Sequence, residues 1–166
     1  MTQLAGVVAV TSAFPGAANA AKYGPLGSSS PGVLDPKEAI IDDEIFNSTP
    51  VQQALKDVKG YAALVTDMKA TLTANDQVNL GPVLRKEFDF SKLRADLNTL
   101  NTAYDEDTQR GTDRLIRVIL QDLTEMEAAN SQKDGIERSP RRVANMMAKL
   151  DKLQGSFDQF LLFAGV

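Results

Sequence analysis

Apolar residues return every three or four positions through most of this chain, and that rhythm is what most constrains the fold. From Val51 the series runs Leu55, Val58, Ala62, Val65, Met68 and Leu72. Such spacing puts all seven side chains on one face of an α-helix, as in the seam of a packed bundle. The run opens at Thr49-Pro50-Val51-Gln52, where we expect a Thr cap, a proline in the first turn and a capping-box Gln. It is expected to last to about Ala74, with Asn75-Asp76 ending it.

Three further helices follow. After the break Leu80-Gly81-Pro82, the second has two candidate starts. One is Pro82, with Val83, Leu84 and Phe88; the other is Ser91, with Leu93, Leu97, Leu100 and Tyr104 on one face. Asp105-Glu106-Asp107 lies near the start of the third, where negative charge suits the helix dipole. That helix carries Leu115, Ile116, Ile119, Leu120, Leu123 and Met126 and ends near Asn130, with Gly111 weakening its first turn. A polar loop leads to Ser139-Pro140, the expected cap and first residue of the fourth. Its face is Val143, Met146, Met147, Leu150, Leu153, Phe157, Phe160, Leu161 and Ala164, and Gly165 stands where a C-terminal glycine belongs. The expectation is an all-α fold. It is an up-down-up-down four-helix bundle over residues 49–166, with an N-terminal extended arm.

The N-terminus has its own logic. Leu4-Ala5-Gly6-Val7-Val8-Ala9-Val10 is a short apolar run, Phe14-Pro15-Gly16 breaks it, and Ala18-Asn19-Ala20 supplies small residues for cleavage. Residues 1–20 are therefore expected to be an export signal, with the mature chain starting at Ala21. No Lys or Arg precedes Lys22, so the basic first part of a full signal is missing. Pro15-Gly16 interrupts the run short of the ~20 residues that cross a bilayer, so no transmembrane helix is expected here. Residues 21–48 form a Pro/Gly/Ser-rich arm. Asp35-Pro36-Lys37-Glu38 is expected to start a short helix running through Phe46. The arm carries Tyr23, Leu26, Leu34, Ile40, Ile41, Ile45 and Phe46 as candidate anchors for a partner. The alternative is that it packs back along its own helices.

Composition removes several function classes. The chain has 166 residues, no Cys and no His, and a net charge of -4. Ser-His-Asp and Cys-His catalysis, disulfides and Cys- or His-based metal sites are therefore excluded. An acidic balance argues against nucleic acid as a partner. The acidic clusters Asp42-Asp43-Glu44 and Asp105-Glu106-Asp107 lack the glycine-bearing loop of a calcium site and are expected to be solvated helix ends. Neither an enzyme nor a cofactor is expected. Phe157, Phe160, Met146 and Met147 are expected to be core, and Phe163 lies off the seam; a pocket for a lipid or pigment there is the alternative function. Lys133, Arg138, Arg141 and Arg142 form a basic group, and Arg141 and Arg142 fall in the first turn of the last helix, where the dipole disfavours cations. They are the candidate docking patch for an acidic partner; the alternative is a solvated helix end.

Several stretches carry a family likeness. Leu93-Arg94-Ala95-Asp96-Leu97-Asn98-Thr99-Leu100 resembles the second helix of the PsbQ-like extrinsic subunits of photosystem II. Residues 115–129, ending Asp122-Leu123-Thr124-Glu125-Met126-Glu127-Ala128-Ala129, resemble their third. Ala18-Asn19-Ala20 resembles the end of a thylakoid-lumen signal. Ala21-Lys22-Tyr23-Gly24-Pro25, Asp35-Pro36-Lys37-Glu38-Ala39-Ile40, Val58-Lys59-Gly60-Tyr61 and Phe88-Asp89-Phe90-Ser91 are most similar to the additional extrinsic subunits of diatom photosystem II. The resemblance implies a four-helix bundle in the chloroplast thylakoid lumen without catalytic activity. It implies docking on the core antenna loops and other extrinsic subunits, and support of oxygen evolution by retaining calcium and chloride and shielding the manganese cluster.

Overall fold

A computed structural model describes residues 32–133 and 135–166. The signal segment and the arm anchors Tyr23 and Leu26 lie outside them. Every regular element described is helical. A 3-10 turn at Pro36–Glu38 is followed by α1 (Asp43–Phe46), α2 (Thr49–Ala74), α3 (Gly81–Glu87), α4 (Phe90–Asn101), α5 (Glu106–Asn130) and α6 (Pro140–Phe163).

The periodic residues make the core. α2 buries Val51, Leu55, Val58, Ala62, Val65, Met68 and Leu72, together with Ala54 and Tyr61. It packs against α4 and α6, and α5 packs against the same two helices. Leu93, Leu97, Ile119, Leu150, Leu153, Phe157 and Phe160 are fully enclosed. Phe163, off the seam by spacing, is also buried, and its ring meets Tyr104 edge to face at 6.4 Å. Val143, Met147 and Leu115 only flank the core.

The boundaries differ from expectation for local reasons. Ser48, not Thr49, caps α2, and it does so without a side-chain bond. Gln52 closes no capping box; its amide nitrogen donates instead to the Phe46 carbonyl at 2.8 Å, tying α2 to α1. Both candidate starts of the second helix are used. α3 ends at buried Phe88, and Asp89 restarts the chain by accepting the Ser91 and Lys92 amides at 2.8 and 3.0 Å. Asp105 caps α5 in the same way through the Thr108 amide. Gly111 does not interrupt that helix, which is continuous from Glu106. It makes room, because a Cβ there would stand 1.8 Å from the Val33 carbonyl oxygen. Gly165 adopts φ 72° just past α6, a conformation that glycine takes without strain.

The single helix expected from Asp35 to Phe46 is two pieces. Asp35 caps the 3-10 turn, and Asp42 caps α1 by accepting from the Glu44 and Ile45 amides. Between them the backbone is extended, because there it bonds to the α4–α5 junction. Asp42 N donates to the Ala103 carbonyl at 2.8 Å and Asp105 N to the Ile40 carbonyl at 3.1 Å, so Ile41 pairs antiparallel with Tyr104. Val33 N donates to Asp107 O and Ile40 N to Thr108 Oγ1. Residues 33–46 thus form a strap that the Val33, Ile40 and Asp42 amides bond to α5 and the α4–α5 junction.

Candidate docking surfaces

The strap divides the arm anchors into two groups. Phe46 packs against the core and Ile41 is half-buried beside Tyr104, so both serve attachment. Leu34, Ile40 and Ile45 face solvent, at 43, 62 and 40% exposure. Backbone bonding explains the split between Ile40 and Ile41. Pinning Ile40 O and Asp42 N to the junction turns Ile41 inward and its neighbours outward, the alternation of any extended segment.

The basic cluster also divides. Arg138 is buried, and it does not belong to an exposed patch. Its guanidinium donates to Val78 O, Asn130 O and Asn130 Oδ1. Its backbone exchanges bonds with Gln77, Arg138 N donating to Oε1 at 2.7 Å and Gln77 Nε2 donating back to Arg138 O at 3.2 Å. Asn130 in turn accepts from Leu80 N and donates to Asn79 Oδ1. The residue clamps the loop after α2 to the loop after α5. Burial, and then the charge of Arg142, push its pKa below the ordinary arginine value. Arg142 donates to the Ser131 carbonyl. Lys133 and Arg141 are exposed. Ser139 is the N-cap of α6 with Pro140 in the first turn, as expected; its carbonyl accepts from the Arg142 and Val143 amides, and its side chain makes no cap bond.

One exposed apolar residue in this loop escaped the sequence reading. Ile136, 56% exposed, sits between Gly135 and Glu137. A lone apolar residue in a polar loop has no periodicity to mark it.

Polar groups link the helices in two networks. Asp122 of α5 is buried; Ser156 of α6 donates to its Oδ2 at 2.6 Å, and Lys152 Nζ lies 2.7 Å from its Oδ1. The bond to Asp122 raises the Lys152 pKa. Glu125 adds Lys149 at 2.7 Å to the same α5–α6 network. Between α2 and α4, Lys92 bridges Asp57 and Asp96 at 2.6 and 2.8 Å, over the Tyr61 ring. Among the described residues no group of three or more His, Cys, Asp or Glu could hold a metal ion, and no helix is long and apolar enough to cross a membrane. Phe157, Phe160 and Met146 are fully enclosed by the core.

No known family model, curated protein or solved structure matches this chain. The functional reading therefore rests on residues and geometry.

Proposed function

We propose that the chain is a non-catalytic extrinsic subunit that docks on the lumenal face of photosystem II. In this reading α2, α4, α5 and α6 form an up-down-up-down four-helix bundle, and the bundle is a scaffold for exposed strap and loop residues. The observation that carries the docking role is the presentation of Leu34, Ile40 and Ile45 to solvent on a segment that Val33, Ile40 and Asp42 bond to α5 and the α4–α5 junction. Apolar side chains held on an anchored strap lose less conformational freedom on binding than the same side chains on a free arm. Lys133 and Arg141 add cations for an acidic partner surface.

The destination rests on the PsbQ-like stretches and on the leader-like residues 1–20. The proposed partners are the core antenna loops and neighbouring extrinsic subunits, and the protein lies on the membrane without spanning it. Its effect is to keep calcium and chloride at the oxygen-evolving centre and to shield the manganese cluster without ligating it. The test is reconstitution. Photosystem II membranes from a diatom are salt-washed, the protein is added back, and binding and oxygen evolution are measured with and without added calcium and chloride. Rebinding with reduced ion demand is expected; absence of rebinding removes the proposal.

A further inference from the structure

A second surface shares no residue with the strap or the loop cluster. Phe90, the first residue of α4, is 41% exposed, whereas Phe88, two positions before it, is buried. Two shallow depressions flank it. One, about 330 Å³, is lined by Leu84, Arg85, Phe88, Asp89, Leu123 and Glu127 as well as Phe90. The other, about 370 Å³, lies between α4 and α5 and is lined by Phe90, Arg94, Arg117, Leu120, Gln121 and Thr124.

The second depression has no carboxylate in its wall but two guanidiniums. Arg94 makes no ion pair among the described residues, and Arg117 pairs only with Asp113, one turn back on its own exposed face. Such a pair is readily exchanged for a partner's carboxylate. Gln121 spends its amide nitrogen on Glu125, which leaves its carbonyl to accept a peptide N–H. Leu120 and Phe90 supply apolar floor and wall. Two guanidiniums, an amide carbonyl and an exposed ring lining one groove match an extended peptide better than a bare anion, which would use only the charges. On a chain of net charge -4, a local pair of arginines selects acidic ligands at this place and not over the surface at large.

We propose that the α4–α5 groove beside Phe90 binds an extended acidic segment of a protein partner, with carboxylates on Arg94 and Arg117 and an apolar side chain against Phe90. The test uses the full chain, labelled with nitrogen-15, and a capped hexapeptide of alternating glutamate and leucine. Saturable amide shifts are expected at Phe90, Arg94, Arg117, Leu120, Gln121 and Thr124. Affinity falls about tenfold in Arg94→Gln/Arg117→Gln and in Phe90→Ser, and part of it returns in Arg94→Lys. These side chains are exposed, and unchanged far-UV circular dichroism verifies that the variants fold. Equal binding of a lysine–leucine peptide overturns the proposal, as does equal binding of a glutamate–serine peptide. So does self-association that Phe90→Ser abolishes, since the occupant is then a second copy. Phe90-dependent binding to phosphatidylglycerol vesicles without peptide binding overturns it in favour of a lipid surface. None of these outcomes bears on rebinding to photosystem II.

Discussion

Gly111→Ala tests whether the strap is a separable part. The new methyl would stand 1.8 Å from the Val33 carbonyl oxygen, a backbone atom that cannot turn aside. An ordinary contact requires the strap to retreat by more than about 1 Å. The Val33 N to Asp107 O bond is then lost, at about 0.5–1.5 kcal/mol. Alanine returns about 1 kcal/mol in helix propensity within α5. The two terms nearly cancel, so urea denaturation followed by circular dichroism should show a change within about 1 kcal/mol of zero. Amide exchange should speak differently. The Val33 amide loses its protection, while Asp42 and Asp105, bonded further along the strap, keep theirs. A global loss of about 3 kcal/mol with Val33 still protected would refute the reasoning, because α5 and not the strap would then have yielded.

Gly60→Ala is the control: it sits in α2 with nothing within 4 Å of the added methyl, so it should stabilise by about 0.5–1 kcal/mol in the same titration. Arg138→Met strands the carbonyls of Val78 and Asn130 and should cost about 3 kcal/mol, read as a lower urea midpoint at constant slope. Glu125 is held down to about 2 from the ordinary 4.5, first by its bond to Lys149 and then by Gln121. A carboxyl depressed in the fold binds fewer protons than in the unfolded chain, so its contribution is present above pH 4.5 and is lost as pH falls toward 2. Glu125→Gln should flatten the acid limb of stability against pH in that window, and an unaltered limb would contradict the Lys149 pairing. Ile40→Ser with Ile45→Ser should leave thermal stability unchanged while weakening rebinding to salt-washed membranes, and unimpaired rebinding would move the docking role off the strap.

Periodicity made the helical core legible. All seven seam residues of α2 are buried, because a three-and-four spacing leaves a helix one place to put them. What it could not show was where the chain stops being helix for the sake of another segment. The Asp35 to Phe46 stretch has caps and apolar spacing that suit one helix, yet residues between its two turns are extended so that Ile41 can pair with Tyr104. The partner is more than sixty positions away, and no local pattern encodes it. Gly111 illustrates the same blindness. Its cost to the helix is visible in the sequence, while its reason, the Val33 carbonyl, is visible only in the fold.

Charge patterning misled in an instructive way. Basic residues near the start of α6 break the helix-dipole preference, which suggested a docking purpose for the group as a whole. The fold supplies a nearer reason for two of them. The end of α5 and the loop after α2 leave carbonyls without helical partners, and Arg138 and Arg142 donate to those of Asn130, Val78 and Ser131. Cations at the start of one helix answer the carbonyl-rich end of the helix before it. Only Lys133 and Arg141 are left to be explained by a partner, and Arg94 and Arg117, which no dipole rule singled out, line a groove instead. A broken local rule marks a place where another element intervenes, and that element can belong to the same chain.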